Sequence, residues 1–253
     1  MRDALAPHVT ADMVPAMLID TTFDFRTDTP PGRDPDAHSP TLRRYHRLLW
    51  SKPLPSGAPF ALEVTTTGAC LHHRSALGEF FLSSDAVIPS FSRERRVAQV
   101  IGRLPEAEVE AFNRLGYTIG GMMVFPANRV GRSMTINGAR GLHPRIKDRF
   151  DLTLECIRRH YSGESSPLAA TLARYGDFFA LFDDFAGYVR FFLLQDLVDE
   201  GAGAVRFSLP FDGFSGSPLP ATLDEYVDYR RRAMGFIHAR NRRIAEHVAA
   251  RAG

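Results

Sequence analysis

The chain has 253 residues, a net charge of +2 and 24% charged side chains. A chain of that length can bury roughly 70–75% of its unfolded surface without disulfide or metal staples. No apolar run reaches the ~18 residues of a membrane span, and the N-terminus lacks a signal-peptide core, so a cytoplasmic protein outside the membrane is expected. The two cysteines, Cys70 and Cys156, sit in apolar settings and read as reduced, buried thiols. Nearly every base is arginine, with only Lys52 and Lys147 as lysines. Codon composition or selection for guanidiniums that fork onto phosphate or carboxylate would each produce that bias.

In chain order, Met17 to Phe25 alternates as a strand and the Pro/Gly/Asp-rich segment Thr27 to His38 reads as a loop. Ser39 is a good N-cap with Pro40 at the first helical position, and Leu42, Tyr45, Leu48 and Leu49 form an apolar stripe up to Trp50. From Phe60 to Phe91 short β-like runs punctuated by Gly68 and Gly78 predict a small antiparallel sheet. Helices follow over Ser92–Arg103 and Glu106–Leu115, divided at Pro105. Tyr117 to Pro126 predicts a buried strand in which Gly120 and Gly121 permit close backbone approach. A run lacking a polar face, Asp184 to Asp199, predicts a central helix buried all round. Val205 to Leu209 reads as a last strand, Phe211 to Pro220 as a loop, and Thr222 to Ala250 as a long basic helix with a Thr222/Glu225 capping box. With no repeat and no convincing linker, the expectation is one α+β domain, a small antiparallel or mixed sheet packed against a mainly helical C-terminal half.

Chemistry concentrates between Thr135 and Tyr161. Asn137-Gly138-Ala139-Arg140-Gly141 reads as a loop placing an amide and a guanidinium before a helix whose free N–H groups favour an anion, with a phosphate as the obvious guest. Arg129, Arg132, Arg145, Lys147 and Arg149 add positive potential. A tight turn with Arg140 tied to a neighbouring carboxylate is the competing reading. If the helix starts near Pro144, Asp148, Asp151, Glu155 and Arg159 share an arc of about 80°. Those carboxylates either pair locally, as Glu155 with Arg159, or line a cleft where they hold a divalent metal or orient a reacting group. Candidate catalytic residues are therefore Asp148, Asp151 and Glu155, and candidate substrate-binding residues are Asn137, Arg140, His143 and Arg149.

His72 and His73 should face opposite sides of a strand, and one of them could meet Asp85 from the next strand. His46, His143 and His160 lack supporting spacing. The segment Arg43 to Lys52 mixes bases with aromatics as single-strand nucleic-acid surfaces do, although a Trp50 docked in the core explains it equally. Arg230, Arg231, Arg232, Arg240, Arg242 and Arg243 make the last helix basic, interrupted by Asp224, Glu225, Asp228 and Glu246. No Walker, GxGxxG, HExxH, CxxC or nucleophile-elbow signature is present.

The segments from FDFRTDTPPGRDPDAHSPTLRRYHRLLWSKPLP through LGEFFLSSD, YTIGGMMVFP, INGARG, DRFDLTLECIRRHY and FLLQDLV resemble an uncharacterised bacterial family known only as a domain of unknown function. The likeness runs from about Ile19 to the last helix and implies single-domain coverage without a transferable activity. The functional expectation is an enzyme or sensor acting on a phosphorylated small molecule, a nucleotide or a nucleic-acid end. The alternative is a noncatalytic basic module for nucleic acid or a partner protein, in a phage-defence or mobile-element setting. A structural protein whose arginines only satisfy internal carboxylates is a third possibility.

Overall fold

A computed structural model of the chain describes residues 19–64, 71–91, 94–129, 131–201 and 203–252. Its class is α+β. The first helices are α1, Pro35–His38, and α2, Pro40–Trp50. Ser39 caps α2 as expected, its Oγ accepting from the Leu42 N–H at 3.0 Å, and Asp28 adds a second acceptor for the Thr41 N–H at 3.0 Å. Leu42, Tyr45, Leu49 and Trp50 are buried, but Leu48 lies on the solvent side at 42% exposure. Strands β1, Lys52–Pro53, and β2, Pro59–Phe60, form a short antiparallel pair.

The main sheet is an antiparallel meander in the order β3, Glu63–Val64; β4, Leu71–Ser75; β5, Gly78–Ala86; and β6, Met122–Pro126. Leu71 pairs with Leu82 and Ser75 with Gly78 across the hairpin, while Leu82 pairs with Pro126 and Ala86 with Met122 across the far edge. Helices α3, Arg95–Ile101, and α4, Glu106–Gly116, fill the connection between β5 and β6. A 3-10 turn at Ile119–Gly121 opens β6. There Gly120 meets the last helix so closely that an added Cβ would lie 2.6 Å from Asn241 Oδ1 and from the Ile237 carbonyl. The expected close backbone approach is thus made against a helix.

The helical half comprises α5, Ile136–Leu142; α6, Phe150–Tyr161; α7, Ala169–Ala173; α8, Gly176–Ala180; α9, Phe185–Phe191; and α10, Leu223–Ala252. Phe178, Phe179, Phe182, Tyr188, Phe191 and Phe192 interlock in its core at ring-centroid spacings such as 4.9 Å for Phe182 and Phe191. A second, smaller cluster under α3 and α4 is built on Tyr226, Tyr229, Phe112 and Val97. Thr222 Oγ1 caps α10 by accepting from the Glu225 N–H at 3.2 Å, and Glu225 reaches back to the Ala221 N–H at 2.6 Å.

Several expected elements differ, among them the loop over 27–38, whose last four residues form α1. Residues 19–25 form turns instead of a strand, and residues 17–18 lie outside the described segments, as do Cys70 and Ser92. The run 184–199 breaks after Phe191, because Leu193 takes a left-handed φ of 55° and the Leu194 N–H returns to the Val189 carbonyl at 2.9 Å. Burial on every side sets no helix length, whereas this terminal turn does. Instead of a strand over 205–209 there is a single bridge, Val198 to Val205, with the Arg206 N–H on the Leu197 carbonyl at 2.7 Å; further along, the Ser208 N–H turns to a side chain, Asp151 Oδ2, at 2.8 Å. Finally, Asn137 to Gly141 is helical, lying in α5, and α6 begins only at Phe150. Lys147 and Asp148, at φ 48° and 63°, interrupt the helix expected from Pro144.

Gly120→Ala should destabilise the fold by about 1–3 kcal/mol, since both close neighbours belong to a packed helix. Urea denaturation at neutral pH reads the change, and an unaltered midpoint would contradict the tight contact.

Candidate functional site

Arg140, at 0% exposure, is turned into the protein from α5. Its Nη1 meets Asp85 Oδ2 at 2.5 Å, Asp148 Oδ1 at 3.2 Å and the Ala86 carbonyl at 3.3 Å. Nε donates to Thr153 Oγ1 at 3.2 Å, and Nη2 donates to the Asp148 carbonyl. The guanidinium is therefore committed to internal acceptors, and the anion-facing loop geometry expected for it is replaced by a helix. Gly141 is small for a packing reason: a Cβ there would sit 3.2 Å from the Asp148 carboxylate. Asn137 belongs to the same cluster, donating to Ser83 Oγ at 3.0 Å and to the Ser84 carbonyl at 3.1 Å.

Asp36, on α1, completes this group by accepting the Ala86 N–H at 3.1 Å. Asp36 and Asn137 thus satisfy the β5 backbone beyond its pairing with Leu71, where Ser84 and Ala86 present their polar groups. Burial, with the Asp85 and Asp34 charges, holds the Asp36 carboxyl well above its ordinary range. Burial likewise raises Asp85 to about 6 against the pull of Arg140. One guanidinium cannot neutralise three neighbouring carboxylates, so the cluster retains a proton where an isolated carboxyl would have lost it.

The remaining acidic residues are dispersed. Arg149 and Asp151 form a buried pair, Nη2 to Oδ2 at 2.6 Å, completed by the Pro218 carbonyl and the Ser208 N–H. The void beside them measures about 10 Å³, room for roughly one water. Glu155, on α6, accepts from Arg158 Nε at 2.8 Å and from Arg159 Nε at 2.7 Å. The common acidic arc is broken because Asp148 precedes the helix. Among the described residues, no three His, Cys, Asp or Glu side chains converge as a metal-ligand set.

Neither strand histidine faces Asp85, whose partner is Arg140. His73 is buried between the Ala61 carbonyl at 2.7 Å and Ser75 Oγ at 2.9 Å, and His72 pairs with Glu79 at 2.9 Å while stacking on Phe81. His46 accepts the Trp50 indole N–H on Nδ1 at 3.0 Å, so its Nε2–H donates to Ser84 Oγ at 2.9 Å. That polarity is the reverse of what a serine nucleophile needs. Burial, reinforced by Arg240, brings His46 down to about 3.

An open groove of about 350 Å³ gathers a different set: His143, Arg145, Arg159, Ser165, Ser166 and Phe214. The turn after α5 supplies His143 and Arg145, the C-terminal end of α6 supplies Arg159, and two Ser/Gly-rich loops close the sides. His143 Nδ1 accepts the Arg145 backbone N–H at 3.2 Å, leaving the ring proton on Nε2. Burial and the Arg145 charge lower its pKa, which keeps the neutral donor form at neutral pH. Glu155 and the Ser165 carbonyl, at 2.7 and 3.2 Å, fix the Arg159 guanidinium 5.0 Å from the Phe214 ring centroid. Arg145 is exposed and makes no ion pair among the described residues. Glu155 and Glu164 are both engaged by Arg158 and Arg159, and among the described ion pairs neither neutralises Arg145.

The groove contains His143 from the expected set and Arg145 from its basic surroundings. Ser165, Ser166 and Phe214 were not anticipated; the only signal they carry is membership of the loops ESSP and GFSG. On α10, Arg230 pairs with Glu108, Arg231 with Asp228 at 3.0 Å and Arg243 with Asp196 at 2.9 Å, while Arg240 is buried. Tyr45 and Trp50 are both buried, so those rings of α2 are turned away from any stacking base.

Two outcomes test the Arg140 cluster. Arg140→Ala should cost about 3–5 kcal/mol in urea denaturation, because it strands buried carboxylates. Folded Asp85 keeps its proton up to about pH 6, whereas the unfolded residue releases it near 3.8, so folding loses stability as pH rises between those values. Asp36→Asn retains the acceptor for Ala86 and removes a carboxyl that burial and the Asp85 and Asp34 charges hold well above its ordinary range, and with it that group's share of the pH dependence. It should shrink that loss and be at least as stable as wild type at pH 7; destabilisation by more than about 1 kcal/mol would contradict the assignment.

No helix among the described residues is long and apolar enough to cross a membrane. No curated protein and no solved structure matches the chain significantly. A family profile matches residues 19–244, spanning the sheet, the Arg140 cluster, the groove and most of α10. The chain belongs to that family, a family of unknown function (DUF6994).

Proposed function

We propose that the protein binds a small phosphorylated ligand in the groove formed by His143, Arg145 and Arg159. The observation that carries this reading is the unpaired Arg145 guanidinium beside an Arg159 already held in place by Glu155. Planar guanidiniums suit the paired oxygens of a phosphate, and a pre-oriented one loses less freedom when the ligand arrives. His143 Nε2–H adds a neutral donor, and the Ser165 and Ser166 hydroxyls provide further polar lining. A groove near the lower end of the ligand-pocket range, with one aromatic ring already covered by Arg159, favours a compact polar molecule over a large base-stacking one. In this reading Glu155 is a positioning residue, acting on the ligand through Arg159.

Calorimetric titration with inorganic phosphate, sugar phosphates and nucleoside phosphates tests the reading. Arg145→Ala should weaken binding at least about ten-fold, or about 1.4 kcal/mol, without lowering the thermal midpoint, because that side chain has no ion-pair partner to lose among the described residues. Glu155→Gln should weaken binding less by loosening Arg159. If phosphorylated compounds fail to bind, or bind equally well to Arg145→Ala, the proposal is wrong. Salt-sensitive oligonucleotide binding independent of Arg145 would favour the nucleic-acid module instead.

A further inference from the structure

We infer that a second groove, between α10 and the segment 207–211, binds an α-amino acid zwitterion with an aromatic side chain. The groove measures about 450 Å³, within the usual range of small-molecule sites. One wall is apolar, made by Phe207, Leu209 and Phe211, with the two phenylalanine rings stacked at a centroid spacing of 4.1 Å and an interplanar angle of 14°. The other wall is charged. Glu225, Asp228 and Arg232 recur at three- and four-residue spacing, which sets them in one row along α10.

This row is neutralised internally only in part. Asp228 and Arg232 have the i,i+4 spacing of a helical ion pair, yet Asp228 Oδ1 is held instead by Arg231 Nη2 at 3.0 Å, both side chains being exposed. Arg232 makes no ion pair among the described residues, and its Nη1 reaches the Phe207 carbonyl on the opposite wall over a long 3.5 Å. Glu225 gives Oε2 to the Ala221 N–H at 2.6 Å and has no ion pair among the described residues either. Carboxylates and a lone guanidinium therefore border one apolar wall, each with bonding capacity to spare.

That combination selects by charge as well as by shape. A simple cation meets Arg232 and a simple anion meets Glu225 and Asp228, so each is opposed by a like charge. A molecule with ammonium and carboxylate on one carbon satisfies both signs, its ammonium towards Asp228 and its carboxylate towards Arg232, whose backbones stand about 6 Å apart along the helix axis. Its side chain then lies on the Phe207–Phe211 stack, where an aromatic ring gains ring-to-ring contact. The groove shares no lining residue with that of His143 and Arg159, and neither assignment depends on the other.

Calorimetric titration of the full-length protein at neutral pH with millimolar L-tryptophan, tryptamine, indole-3-propionate and glycine tests the inference. Tryptophan carries both charges and a ring, and each other probe lacks one of the three. Tryptophan should bind at least about ten-fold more tightly than any of them, because each omission leaves one wall of the groove without its partner. Arg232→Gln should erase its advantage over tryptamine, and Asp228→Asn its advantage over indole-3-propionate. Both positions are exposed, so an unchanged thermal midpoint is expected to accompany each loss and separates it from unfolding. Arg145→Ala should leave tryptophan binding as it was. No tryptophan binding, equal affinity for any of the other three probes, or an affinity unaltered by either charge substitution would overturn the inference; so would loss of tryptophan binding in Arg145→Ala, which would put the ligand in the other groove.

Discussion

Arg240 imposes the constraint around which the two halves of the fold are arranged. Its guanidinium is at 0% exposure and has no carboxylate partner among the described ion pairs. Burial lowers its pKa to about 10, which still leaves it charged at neutral pH. Desolvating such an ion costs several kcal/mol, so it must be compensated by dipoles. The carbonyls of Gly120 and Met122 accept from Nη1 at 3.1 and 2.7 Å, and that of Phe192 accepts from Nη2 at 3.1 Å. One side chain of α10 thereby holds the entry to β6 and the end of α9 together.

The same arrangement explains why the aromatic run stops being helical after Phe191. A helix end exposes carbonyls that need donors, and positive charge is favoured there. Lys52 takes the Phe191 carbonyl and Arg240 takes the Phe192 carbonyl, both beside Trp50.

Buried arginine is used differently elsewhere. Arg140 and Arg149 have carboxylate partners and act as internal ties, leaving few donors for a ligand. Arg145 and Arg159 line the groove instead, the first without an ion pair among the described residues and the second fixed but partly exposed. Function-like residues and structural ones are interleaved at intervals of a few positions because the chain turns between α5 and α6. The left-handed backbone at Lys147 and Asp148 makes that turn.

Local signals with local causes were legible in the amino-acid sequence. The Ser39 and Thr222 caps, the Pro105 break, the β4–β5 hairpin and the α+β class depend on contacts or periodicities within a few residues. The concentration of chemistry between Thr135 and Tyr161 was also readable, as was the ion pair of Glu155 with Arg159. The direction in which each side chain points was not. Whether Arg140 meets a ligand or Asp85 depends on a partner 55 positions away, and Ser165 and Phe214 join His143 only through loop packing. Composition and short-range pattern therefore determined the elements and the neighbourhood of the site. Tertiary structure decided which charges were neutralised internally and which remained free, because Coulomb and hydrogen-bond partners are chosen by proximity in space rather than along the chain.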